Sequence, residues 1–144
     1  MQRLSAIYHS YRSLPLWVQI WVVAILMPVN AAAFFLLDTW LGMAAAIAAV
    51  FVVITNVPIM WGTGGMSRLM SVPHLIAWYP LQVLIVMRLA GMVEAGPVSA
   101  AEWWFGVILF VINGISLVFD TVDSWRWLRG EREVPGADSW SAPS

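Results

Sequence analysis

The sequence predicts an all-α integral membrane protein. Four transmembrane helices form an antiparallel bundle behind a short amphipathic N-terminal helix, with both termini cytoplasmic. Three observations predict it. First, the 144-residue chain is 61% apolar and 10% charged, with a mean hydropathy of +0.81. An ordinary soluble domain has roughly 45–50% apolar and about 25% charged residues, and a globule this small cannot hide so much apolar surface. Second, four runs reach the about 20 apolar residues that cross a hydrocarbon core, at 17–37, 40–61, 73–92 and 103–122. Third, the arginines fall on alternate sides of those runs.

Residues 1–16 come first. Leu4, Ile7, Tyr8 and Tyr11 recur at helical spacing against Gln2, Arg3, Ser5, His9 and Arg12, so this segment is expected to lie flat on the cytoplasmic leaflet. Span one follows. Ala31-Ala32-Ala33 resembles a signal-peptidase site, but the apolar run continues through Phe34-Phe35-Leu36-Leu37, which favours a span. Only Asp38-Thr39 separates spans one and two, which forces a tight hairpin. Gly62 to Arg68 forms a glycine-rich link to span three. It follows a helix rather than a strand and so lacks the context of a phosphate loop. Ser71-Val72-Pro73 has the pattern of an N-cap followed by a first-turn proline. Pro28 and Pro80 interrupt spans one and three, where kinks are expected. Residues 123–144 form a polar cytoplasmic tail, expected to be frayed.

Orientation follows from the basic residues. Arg3 and Arg12 precede span one, Arg68 lies between spans two and three, and Arg126, Arg129 and Arg132 follow span four. The other two loops carry acids and no arginine, so the expected location is the inner membrane of a bacterium with both termini inside. Trp17, Trp21, Trp40, Trp61, Trp103, Trp104, Trp125 and Trp127 fall near span ends as interfacial anchors. The lipid bilayer is the first partner implied.

Missing residues exclude whole chemistries. There is no cysteine, and all seven basic residues are arginine, so thiolate metal sites and lysine Schiff bases are ruled out. Two histidines, His9 and His74, cannot build a three-histidine metal site, and no metal is expected. A net charge of −1 offers no footprint for nucleic acid. No cofactor is expected. Haem or pigment held by His74, one ligand per chain of a dimer, is a weaker option.

Polar residues inside spans are functional candidates by default. Glu102, Asn113 and Asp120 share one face of span four, with Gly106 and Ser116 beside them. Gln19 and Asn30 share a face of span one. Gly42, Ala45, Ala49 and Asn56 line span two, and His74, Trp78, Leu81, Ile85 and Arg88 line span three. Near the cytoplasmic end, His74 and Asp120 form a candidate carboxylate–imidazole pair with Asn56 adjacent and Gln19 not far off. The plainer alternative is that they are solvated at the interface. Deeper, Asn30 and Asn113 are expected to bond across helices. Arg88 is expected to pair with Asp38 or Glu94, or to snorkel to the outer headgroups.

The chain lacks a complete catalytic set and a cofactor motif, which argues against an enzyme. The expected function is an accessory or assembly subunit packing against other membrane helices. The alternative is a homo-oligomeric channel or proton-linked small-solute transporter, with His74, Asp120, Asn56, Asn113, Asn30 and Arg88 along its pathway. A lipid- or quinone-directed enzyme ranks behind both, because its candidate groups fall toward opposite faces of the bilayer.

Overall fold

A computed structural model describes residues 2–137 and is helical, with no strand among those residues. The helices are α1 (Gln2–Arg12), α2 (Leu16–Phe35), α3 (Trp40–Thr63), α4 (Ser71–Leu89) and α5 (Ala100–Leu128), with a single 3-10 turn at Arg68–Met70 before α4. Four of them are long and apolar enough to cross a membrane, the third counted from the 3-10 turn as Arg68–Leu89.

Three of the long helices turn most of the expected stripe inward. Gly42, Ala45 and Asn56 of α3, Trp78, Leu81, Ile85 and Arg88 of α4, and Glu102, Gly106, Asn113 and Ser116 of α5 are all buried. The core is completed by Leu26, Ala33, Leu41, Ala46, Phe105, Leu109 and Leu117. Outward positions such as Ile47, Val53, Ile54, Val83, Val111 and Val118 are exposed hydrocarbon.

Local chemistry sets the ends. Thr39 caps α3 by accepting the Gly42 N–H at 3.0 Å. Ser99 caps α5 by accepting the Glu102 N–H at 3.1 Å, the first half of a Ser-x-x-Glu capping pattern. Gly64 ends α3 at φ 72°, a left-handed conformation that glycine adopts without a steric penalty. α2 is not uniform. Pro28 has no N–H for the Ala24 carbonyl, and the turn before it, Trp21–Leu26, is wound as π-helix. A 3-10 turn, Ala32–Phe35, then ends the helix two residues earlier than the apolar run suggests.

One expectation changes, and three residues or segments gain contacts that the spacing does not specify. Ser71 is not an N-cap. The 3-10 turn absorbs that role, with Ser67 accepting the Leu69 N–H at 3.2 Å. Ser71 Oγ instead meets Ser124 Oγ at 2.7 Å. Gln19 does not join the His74 group. It faces the turn after α1, where Nε2 donates to the Arg12 and Leu14 carbonyls and Oε1 accepts from Arg12. Trp21 faces another helix, its indole N–H donating to Ser116 Oγ at 3.1 Å. α5 continues through Leu128, so the first residues of the expected polar tail, from 123, are helical. The chain beyond α5 folds back, so that Arg68 donates to the Glu131 carbonyl, and Val134 and Gly136 pack near Ser10 and Ser13 of the N-terminal segment. The remainder of the expected frayed tail, 138–144, lies outside the described residues.

The α2–α3 connection is tight because Gly42 presses on the backbone of Leu36, and a Cβ at Gly42 would overlap the Leu36 carbonyl group. Gly42→Ala is therefore expected to destabilise the protein by about 1–3 kcal/mol, the range for overpacking. Gly62→Ala, with no atom within 4 Å of the new Cβ, is expected to hold or raise stability. Thermal unfolding of both variants in the same detergent checks the contrast.

Candidate functional site

The buried polar side chains fall into three layers. The first joins α3, α4 and α5 near the start of α4. His74 Nδ1 lies 3.1 and 3.2 Å from the two carboxylate oxygens of Asp120. Asn56 Nδ2 lies 3.0 Å from His74 Nε2. With the Asn56 amide nitrogen facing Nε2, the matching tautomer is the one whose ring proton sits on Nδ1, toward the carboxylate. Trp78, one helical turn along α4, stacks on the imidazole with centroids 4.3 Å apart and planes within 10°. Ser71 and Ser124 meet on the same helix pair. Two buried polar atoms beside this histidine, Asn56 Oδ1 and Trp78 Nε1, have no partner among the described residues.

Chemically, this layer can accept a proton. A second ring proton on Nε2 requires the Asn56 amide to turn its oxygen to the ring. Asn56 Oδ1 holds no bond that this rotation would break. Around the ring, a carboxylate faces Nδ1 and an indole face lies over the imidazole plane. A haem iron, by contrast, would have to displace Asn56 from Nε2.

The middle layer joins α2 to α5. Asn30 Nδ2 donates to Asn113 Oδ1 at 2.8 Å, and Asn113 Nδ2 donates back to Asn30 Oδ1 at 3.1 Å. Asn30 also donates to the Leu26 carbonyl at the end of the π-helical turn. The two asparagines thus bond across helices as expected.

The third layer lies about 21 Å from His74 along α4, at 1.5 Å per residue. Here the expectation for Arg88 is corrected. It pairs with neither Asp38 nor Glu94, and it does not snorkel. Its Nε and Nη2 donate to the two oxygens of Glu102 at 2.9 and 3.0 Å, and both side chains are only 2% exposed. Nη1 donates to the Gly96 carbonyl at 2.9 Å, and Glu102 Oε1 accepts the Leu41 N–H at 3.1 Å. Fork-to-fork geometry is the strong form of this ion pair. Glu102 wins because the Ser99 cap places it in the first turn of α5, facing inward, whereas Asp38 and Glu94 sit on loops. The signal in the sequence was the Ser99-x-x-Glu102 spacing, which would have started the helix earlier.

The sequence candidates therefore form three sets rather than one: His74, Asp120 and Asn56; Asn30 and Asn113; and Arg88 with Glu102. No protein-family model, no curated protein and no solved structure matches this chain.

Removing one partner of a buried ion pair leaves the other charge uncompensated. Arg88→Met is accordingly expected to destabilise the fold by about 3–5 kcal/mol. Arg88→Met combined with Glu102→Leu is expected to recover part of that loss, because both charges leave together. Unfolding of the three proteins in detergent reads the difference, and a single variant as stable as wild type would contradict the assigned role.

Proposed function

We propose that this chain is an integral membrane protein with four antiparallel spans and both termini on the cytoplasmic side of a bacterial inner membrane. We further propose that it acts as an accessory or assembly subunit that packs against helices of another membrane protein. Six arginines on the segments around α1, the 64–70 link and the end of α5, against loops with Asp38 and Glu94 and no arginine, support that orientation. The exposed tryptophans Trp17, Trp61, Trp103, Trp104 and Trp125 suit interfacial anchoring.

One observation carries the accessory reading. Between α3 and α4 runs an open groove of about 260 Å³ lined by Ala44, Ala48, Phe51, Ile76, Ala77 and Pro80, among other apolar residues. Ala44 and Ala48 are one turn apart, and Ala77 faces the same hollow, so small side chains let another helix come close. Pro80 also leaves the Ile76 carbonyl without its regular in-helix donor, and both residues line the groove. In hydrocarbon such a carbonyl favours a donor from a neighbour. A partner helix bearing serine or threonine supplies both the fit and the donor, which an acyl chain does not.

Native mass spectrometry of the protein released gently from its own membranes is expected to show a stoichiometric foreign subunit. Ala48→Phe, which fills the groove, is expected to abolish that association while the chain itself remains folded. A wild-type protein recovered alone overturns the accessory reading.

A second reading is favoured by the unpartnered Asn56 Oδ1 beside the His74–Asp120 pair. It is a homo-oligomeric, proton-linked channel or transporter in which His74 takes up the proton. Proteoliposomes loaded with a pH-sensitive dye are then expected to show proton flux that Asp120→Asn and His74→Ala each abolish. Flux unchanged in both folded variants ends that reading.

A further inference from the structure

Four of the six arginines at the α1 end are occupied. Arg3 Nη1 donates to the Trp61 carbonyl at 2.6 Å, and Arg12 Nη1 donates to Gln19 at 3.0 Å. Arg68 Nε lies 3.4 Å from Asp123, and Arg126 Nε donates to Glu131 at 2.7 Å. Arg129 and Arg132 differ. Both are exposed, and each rests on an indole face. The Arg129 Cζ is 4.7 Å from the centroid of Trp125, and the Arg132 Cζ is 4.5 Å from that of Trp127. Among the described residues neither has a carboxylate at ion-pair distance.

Stacking and forked hydrogen bonding use different parts of a guanidinium. The indole takes the π face and holds the side chain in one orientation. The in-plane N–H groups stay free, and their fork matches two oxygens of a phosphate. Indoles settle at the headgroup level of a bilayer, so the same tryptophans would hold both forks where phosphodiesters lie. Leu128, 70% exposed between them, offers hydrocarbon to the adjoining acyl region. Two cations without an acid partner of their own favour a lipid of net negative charge. A zwitterionic headgroup would bring its own ammonium against them.

We propose that Arg129 and Arg132, each stacked on a tryptophan at the end of α5, bind the phosphodiester of an anionic glycerophospholipid. The proposal rests on the membrane placement above. That placement has its own test, retention in the membrane pellet through an alkaline wash, so the two fail separately.

The experiment is a titration of delipidated protein in mild detergent with phosphatidylglycerol, and in parallel with phosphatidylcholine, read by native mass spectrometry. Phosphatidylglycerol is expected to bind in preference. Arg129→Gln and Arg132→Gln are each expected to weaken it about five-fold, and the double variant about thirty-fold, the scale of one juxtamembrane arginine each. Arg3→Gln removes the same charge at the same end and is expected to change affinity by less than about two-fold. Equal weakening by Arg3→Gln would mean a diffuse field and overturn the site. Full affinity in Arg129→Lys with Arg132→Lys would overturn the forked, stacked geometry. Excess inorganic phosphate is expected to leave the lipid bound, and its displacement would make free phosphate the ligand and overturn the lipid assignment.

Discussion

A guanidinium removed from water must be neutralised and have its N–H groups matched, or the fold that buries it fails. Arg88 meets that condition only because three separate segments converge on it. Glu102 comes from the first turn of α5, the Gly96 carbonyl from the loop before it, and the Leu41 N–H closes the remaining side of the carboxylate. The pair therefore fixes the start of α3, the end of α4 and the start of α5 relative to one another. The close approach at Gly106, where an added Cβ would strike Leu41, belongs to the same junction. With that end held, the inward stripes of the helices face one another along their length.

The other two layers act more gently. In the proposed bilayer setting, polar bonds between helices are worth only about 0.6–2 kcal/mol each, so Asn30–Asn113 and His74–Asp120 would select register more than they supply stability. Bulk cohesion comes from packing among Ala45, Leu81, Ile85, Leu109 and Leu117. This division suits His74. A site whose bonds contribute little to overall stability can exchange partners without unfolding the bundle. Two polar atoms beside it, Asn56 Oδ1 and Trp78 Nε1, lack partners among the described residues.

Much of this was legible from residue spacing. The pairing of Asn30 with Asn113, and the joining of His74, Asp120 and Asn56, follow from stripes that repeat at the period of a helix and must face inward together. The partner of Arg88 was not legible in the same way. Asp38, Glu94 and Glu102 stand near enough in sequence, and choosing among them depends on loop conformation, which hydropathy does not encode. The π-helical turn in α2 was hidden for a similar reason. Pro28 announces a disturbance, but whether the chain answers by kinking or by widening a turn depends on what Asn30 and Trp21 bond to. The fold-back after α5 escaped because Glu131 and Val134 look like solvated tail until the Arg68 side chain and Gly65 are brought beside them.

The unequal lengths of α4 and α5 carry a consequence for where such a protein can live. At 1.5 Å per residue, α4 rises about 28 Å and its neighbour α5 about 43 Å, although the two are fastened near both ends of α4. A hydrocarbon layer of about 30 Å matches the shorter helix. The extra turns of the longer one must then stand out of the apolar layer or lean within it. Because α5 is clamped to α4, it has little freedom to lean alone. A thicker membrane would have to thin around α4, while a thinner one would leave the apolar end turns of both helices uncovered. In the proposed membrane setting the pair would register bilayer thickness, since mismatch energies of fractions of a kcal/mol per Å are enough to sort a protein among membranes.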